Sequence, residues 1–136
     1  NVKMPLAHGE RVFGRWEYIR YFMDNSIQVI QPDIGNAGGI TETKRICDMA
    51  YTFDVGVQIH TCASHLLTPP SVQLEACIPN FVIHEQHMRS MNPSNQELTA
   101  KVVMPKNGYL DVTDDIGIGN EWSDKALASE DQITLN

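Results

Sequence analysis

Short apolar or β-branched runs repeatedly close on a polar residue and give way to a loop, then to a segment with helical periodicity. The run from Val2 to Ala7 leads to Glu10, and between Arg15 and Asp24 the residues Trp16, Ile19, Tyr21, Phe22 and Met23 recur at mostly helical spacing. SIQVIQPD reaches Asp33 and a Gly-rich turn, GNAGG; Ile46, Met49, Ala50 and Phe53 then mark one face of a helix predicted over 41–53. VGVQIH ends at His60. Pro69 and Pro70 suit the opening turn of a short helix near 71–77, because the N–H that proline lacks is one a helix start leaves unpaired. NFVIHE predicts a fourth strand ending at Glu85.

Strands alternating with helices imply parallel strands joined by right-handed crossovers. The polar residues that close the four strands follow one another at intervals of 23, 27 and 25 residues (10 to 33, 33 to 60, 60 to 85). Eight units in a barrel of about 250 residues average roughly 31 residues each, so these are compact units of that kind. The fold class is therefore α/β, and residues 1–88 supply about four units, half a TIM-like barrel. Beyond Met88 the pattern changes. KVVMPKNGYLDVTDDIGIGNEWSDKAL predicts a strand, a turn at Lys106-Asn107-Gly108, a second extended piece, and a Gly-rich loop before a helix capped by Ser123 or Asp124. Residues 89–136 are thus set apart as a segment that packs elsewhere.

Composition narrows the function classes. With 42% hydrophobic and 20% charged residues, the 136-residue chain buries a core. A net charge of −7 with Lys and Arg scattered singly excludes a general nucleic-acid binder, which needs clustered cations to displace counterions from phosphates. No run approaches the roughly 18 apolar residues of a membrane span, and no leader pattern opens the chain, so a cytoplasmic location without membrane contact is expected. Cys47, Cys62 and Cys77 form neither a paired framework nor a zinc spacing, and are expected to be small buried thiols, with a role near the site open for Cys62 beside His60. A strand so close to the first residue, Asn1, suggests a piece of something longer.

In a parallel barrel the strand C-termini converge on one face, and the chemistry sits there. Glu10, Asp33, His60 and Glu85 occupy that edge. Each alone has a plainer explanation: an acid at a helix start, a Pro-Asp-Gly-type turn residue, a hydrogen-bonded histidine, an exposed strand-end charge. Four equivalent strand ends carrying such groups make a functional set the better explanation. Gly35 to Gly39 weakly suggest an anion-binding turn, but the spacing is not GxGxxG and no P-loop Lys follows. His8 shares the parity of Glu10, and His84 should face the helices while Glu85 faces the other way. His87 is a candidate to reach substrate, and Glu75 is expected to be a solvated or salt-bridged surface charge.

GERVFGRW, VIQPDIGNAGGITE, the strand end at His60 and PNFVIHEQ together resemble the second half of an enolase-superfamily barrel of the mandelate racemase type, in its acid-sugar (galactonate-like) dehydratase group. The run NGYLDV followed by GIGNE resembles that family's C-terminal stretch. The resemblance implies the C-terminal half of a (β/α)7β barrel, with residues 89–136 returning to a capping domain. It makes Glu10 a carboxylate ligand of a catalytic Mg2+, pairs Asp33 with His60 as a dyad, and puts Glu85 beside the substrate carboxylate. The other metal ligands and an opposite-face acid or base would lie upstream, in the same parent chain or a companion chain. A homo-oligomer is expected, and the 136-residue chain alone is expected to be inactive.

Those roles are chemically coherent. A proton α to a carboxylate is too weakly acidic for a side-chain base unless the anion that forms is stabilised, which Mg2+ with oxygen ligands achieves. His60 suits proton transfer near neutral pH, with Asp33 fixing its tautomer. A protonated Glu85 would donate to the developing oxyanion. Loss of a β-hydroxyl would then yield a 2-keto-3-deoxy acid from a sugar-acid substrate. The same groups also suit a racemase or epimerase, and a non-catalytic binding homologue is the alternative from another class. Thr61-Cys62-Ala63-Ser64-His65 departs from the Cys-Pro run usual in galactonate-type relatives, and Asp33 leans away from the mannonate type, which usually lacks the dyad acid.

Overall fold

In the computed structural model, which describes residues 3–129, the chain runs β1 (Ala7–His8), α1 (Gly14–Met23), β2 (Val29–Ile30), α2 (Gly39–Thr52), β3 (Gly56–Val57) and α3 (Thr68–Ala76). A 3-10 turn over Met88–Met91 and two short helices follow, α4 (Pro93–Gln96) and α5 (Asp124–Ser129). The sheet is parallel in the order β1-β2-β3, with Ala7 opposite Val29 and Val29 opposite Gly56. Parallel bridges also join Asp33 to His60 and Val57 to Phe81, so the fourth extended segment lies outside β3. Strand and helix alternate as the hydrophobic pattern requires, and the result is part of a barrel wall.

Alternation along each strand decides what faces where. Ile30, Val57 and Ile59 are fully buried against the helices. There they meet Tyr18 and Phe22 of α1 and Ile46, Cys47 and Ala50 of α2. Removing these side chains from water is the main source of stability, at about 1.5–3 kcal/mol for each large apolar group. On α1 the buried stripe is Tyr18 and Phe22, while Trp16 and Met23, expected on the apolar face, are exposed. Trp16 lies instead under the Arg15 guanidinium, 4.8 Å from the ring centroid. Phe53 is partly exposed yet stacks on Phe22 at 5.5 Å.

Three boundaries differ from the sequence expectation. Helix α3 begins at Thr68 because Pro69 and Pro70 both fit inside its first turn. The strand expected over 80–85 makes a single bridge, at Phe81, because its main-chain bonds to β3 end at Val82. The strand expected over 2–7 is reduced to Ala7–His8, and residues 1 and 2 lie outside the described range. Of the three thiols expected to be buried, only Cys47 is; Cys62 is half-buried and Cys77, closing α3, is exposed. Burial pushes the Cys47 thiol up to about 12, with the nearby Asp48 charge adding to the effect.

Residues 89–129 lean on the barrel segment. The Asn120 side-chain amide donates to the His65 carbonyl (3.0 Å), Asn95 donates to the Ala63 carbonyl (3.0 Å), and Gln73 of α3 donates to the Thr113 carbonyl. The turn predicted at Asn107-Gly108 is present, both residues having positive φ and Lys106 pairing with Tyr109. Ser123 caps α5, its hydroxyl accepting from the Ala126 N–H at 3.1 Å. The extended pieces expected here reduce to the antiparallel bridges Thr99 to Trp122 and Lys106 to Tyr109.

Candidate active site

Beyond the C-terminal ends of the strands lie inward-facing polar residues, Gln31 and Asp33 after β2, Gln58 and His60 after β3, and Glu10 after β1; His8 registers with the helix-facing Ile30 and its ring packs edge-on against Tyr21 of α1 at 5.5 Å. Asp33 is buried, and its carboxylate is used on both sides. Its Oδ1 accepts from the N–H groups of Gly35 (2.8 Å) and Asn36 (3.1 Å), which fixes the turn into α2. Its Oδ2 lies 2.8 Å from His60 Nδ1. An acceptor pinned in that way requires the proton on Nδ1 and points Nε2 at the cavity. The main-chain N–H of His60 donates to the Pro32 carbonyl (3.0 Å), so the two strand ends are tied by backbone as well as by side chains.

Glu10 reaches the same ring from the first strand, its Oε2 lying 2.9 Å from His60 Nε2. The loop that delivers it is shaped by Gly9, at φ +145°, where a Cβ would lie 2.7 Å from the Tyr18 hydroxyl. That hydroxyl donates to the Gly9 carbonyl at 2.7 Å, and burial pushes its pKa far above the ordinary phenol range, keeping it a donor. Asn36 donates to the Glu10 carbonyl at 3.2 Å, joining the first loop to the second. Glu85 Oε1 stands 3.8 Å from His60 Nε2, beyond hydrogen-bond reach but across the same space. A cavity of about 240 Å³ lies between His8, Glu10, Arg11, Gln31, His60 and Glu85.

Thus of the four residues picked from the sequence, Glu10, His60 and Glu85 line one cavity, and Asp33 stands behind the His60 ring. The structure does not bring His87 to it. The His87 ring accepts from the Arg89 N–H at 3.1 Å and caps the 3-10 turn, and the residue is exposed. Glu75 is the second difference: it is buried, not a surface charge, and pairs with His84 Nδ1 at 2.9 Å. Two site residues were missed. Gln31 and Gln58 both donate to Glu85 Oε2, at 3.4 and 3.3 Å, and hold that carboxyl in place. Their signal was the strand period, since each precedes the polar residue closing its strand by two positions.

Glu10 offers a hard carboxylate oxygen at the cavity, a ligand type that suits Mg2+, which keeps several waters and takes one or two carboxylates plus substrate oxygens. Among the described residues no group of three or more His, Cys, Asp or Glu is placed to hold a metal, so this segment fits as the donor of one ligand.

The chain is a partial α/β barrel that gathers an Asp–His pair and two glutamates at its strand C-termini. The chain belongs to the enolase C-terminal domain-like family, whose model matches residues 1–126. It is 36% identical over 85 residues to a D-galactonate dehydratase of Pectobacterium atrosepticum, covering 62% of this chain and 22% of that protein. A D-xylonate dehydratase of Haloferax volcanii is 28% identical over 115 residues, covering 85% of this chain and 28% of the relative. In structure it matches a member of the enolase superfamily from Salmonella Typhimurium with a TM-score of 0.94 and 42% identity, over 99% of this chain and 34% of that one. The chain therefore spans about a third or less of these proteins, and its partial barrel corresponds to half of the family's (β/α)7β barrel. No helix among the described residues is long and apolar enough to cross a membrane.

Proposed function

We propose that this chain forms the C-terminal part of a Mg2+-dependent acid-sugar dehydratase, a carbon-oxygen lyase that removes the proton α to a carboxylate and expels the β-hydroxyl. The observation that carries the reading is the Asp33–His60 pair, with Nδ1 held at 2.8 Å and Nε2 turned into a cavity shared with Glu10 and Glu85. That arrangement is a proton-transfer device with its tautomer set. His60 Nε2 exchanges a proton with the substrate, as base at Cα or as acid toward the departing hydroxyl. Asp33 keeps the ring oriented and stabilises it while charged. Glu85, steadied by Gln31 and Gln58, hydrogen-bonds the substrate carboxylate. His87 receives no role here, because its ring caps the 3-10 turn through the Arg89 N–H and does not line the cavity.

Glu10 would contribute one oxygen ligand to Mg2+, and the bound ion would supply positive charge against the negative charge that develops on the substrate carboxylate. Upstream residues of the same parent chain or a companion chain would complete the ligand set and the opposite side of the barrel, and residues 89–136 would return to a capping domain. The 136-residue chain alone would then be inactive. A homo-oligomer in the cytoplasm, working on a small sugar acid, fits this reading. Names of relatives that act on galactonate and xylonate support an acid sugar as substrate. The racemase or epimerase reading uses the same residues on a substrate with no leaving group at C3. A screen of acid sugars with Mg2+, followed by both 2-keto-3-deoxy acid release and exchange of the α-hydrogen with solvent deuterium, separates the two. Keto-acid release supports the dehydratase; exchange with inversion and no keto acid overturns it in favour of the epimerase.

A further inference from the structure

Main-chain hydrogen bonds tie the fourth segment at Val82, whose N–H donates to the Val57 carbonyl (2.9 Å), and at His87, whose N–H donates to the Thr61 carbonyl (3.1 Å). Among the described residues no main-chain bond holds 83–86 between them. Glu85 is thus aimed into the cavity by side chains. On its own face it has only the long bonds from Gln31 and Gln58, at 3.4 and 3.3 Å.

The opposite face is anchored more strongly. His84 Nδ1 lies 2.9 and 3.0 Å from the two carboxylate oxygens of Glu75 on α3, and its Nε2 lies 3.1 Å from Gln86 Oε1. The fully buried Thr68 donates its hydroxyl to the same Gln86 oxygen at 3.4 Å. An ionised carboxylate only accepts, so the ring meets acceptors at both nitrogens and donates at both. Burial pulls the His84 pKa down, but the hydrogen bond and charge of Glu75 outweigh it and the net shift is upward. Charge-assisted bonds in a buried setting are shorter and stronger than amide contacts on a cavity wall.

Side chains at 84 and 85 leave an extended backbone on opposite faces, so the direction of one fixes the direction of the other. We propose that His84, clamped by Glu75 and Gln86, is a positioning residue that sets the aim of Glu85. This role rests on the dehydratase reading for its kinetic consequence, although the clamp itself is independent of it. Misplacing a catalytic group by about 1 Å reduces turnover by up to roughly a hundredfold. Because negative charge develops on the substrate carboxylate that Glu85 bonds, misplacing Glu85 weakens the transition state more than ground-state binding, which lowers kcat and leaves KM nearly unchanged.

The test is a double-substitution cycle in the full-length protein that carries this segment, assayed by keto-acid release with Mg2+. His84→Gln is expected to lower kcat about tenfold with KM within about threefold, and to add no loss in a Glu85→Gln background. Equal losses in both backgrounds would overturn the proposal, because a general structural defect acts whether or not Glu85 is present. Where thermal unfolding shows that His84→Gln does not fold, Glu75→Gln takes its place in the cycle with the same expectation. Amide hydrogen exchange at Val82 and His87 gives a readout free of turnover: it should quicken about tenfold in His84→Gln and stay unchanged in His60→Asn. If the unsubstituted protein releases no keto acid from any acid sugar, the dehydratase reading fails and exchange decides; unchanged exchange at Val82 and His87 then overturns the clamp as well.

Discussion

Asp33 does two jobs with two oxygens, and substitutions can separate them. Asn at 33 retains an acceptor for the Gly35 and Asn36 N–H groups but presents an amide N–H to His60 Nδ1, forcing the other tautomer. Asp33→Asn should therefore lower kcat by about 10²–10⁴ with little change in melting temperature. Asp33→Ala removes both functions and should lose a further 1 to 2 kcal/mol, roughly, of stability from the unsatisfied turn. Steady-state kinetics beside thermal unfolding of the two variants checks the division. The sequence made Glu10, Asp33, His60 and Glu85 legible because each closes a strand, where a polar side chain has no core-packing reason to be. Glu75 was misplaced because an acid on an apolar helix has an exposed default. What makes its burial tolerable is His84, nine residues away on the fourth segment, and no local pattern shows that pairing.

Among the elements, the loop after β1 is tightly constrained. Gly9 has a positive φ and has no room for a Cβ beside the Tyr18 hydroxyl and the Gln31 main chain. Gly9→Ala should destabilise the protein by about 2 kcal/mol or more and weaken substrate turnover through Glu10, measurable by denaturant unfolding and kinetics. The packing of the fourth segment on α3 should carry its own pH dependence. His84 has a raised folded pKa, so its contribution is fully present below the unfolded histidine value of about 6.5 and is lost as pH rises through the folded value. The difference in unfolding midpoint between the unsubstituted protein and Glu75→Gln should shrink on going from pH 6 to pH 9; a constant difference would contradict the pairing. Helices α1 and α2 were legible to within two residues because their periodicity is long. The fourth strand was overestimated because an apolar run shows β preference without showing how far its backbone stays in register with its neighbour.

For the molecule as a whole, the open edges of the sheet are the main physical feature. Phe81, Val82 and Ile83 are 44, 55 and 58% exposed at one edge, and Met4 and Leu6 are 68 and 40% exposed near the other. Apolar surface of this kind along unpaired strands is a template for association. A 136-residue polypeptide made by itself should bind a hydrophobic dye and self-associate in light scattering, and both signals should fall when the remaining part of the barrel is supplied. The half-barrel architecture was readable from the spacing of the strand ends alone, since parallel units recur at a fixed length. What closes the barrel was not, because its residues are not in this sequence.

The proposed role of His60, held by Asp33, is to move a proton to or from an acid sugar. The most direct test is keto-acid release by the full-length protein with Mg2+ across a panel of acid sugars, run beside His60→Asn. Release from at least one acid sugar is expected, with a loss of at least about 10² in kcat for His60→Asn while substrate and Mg2+ are still bound. Turnover that survives His60→Asn, or ligand binding by the unsubstituted protein with no turnover on any member of the panel, would contradict it.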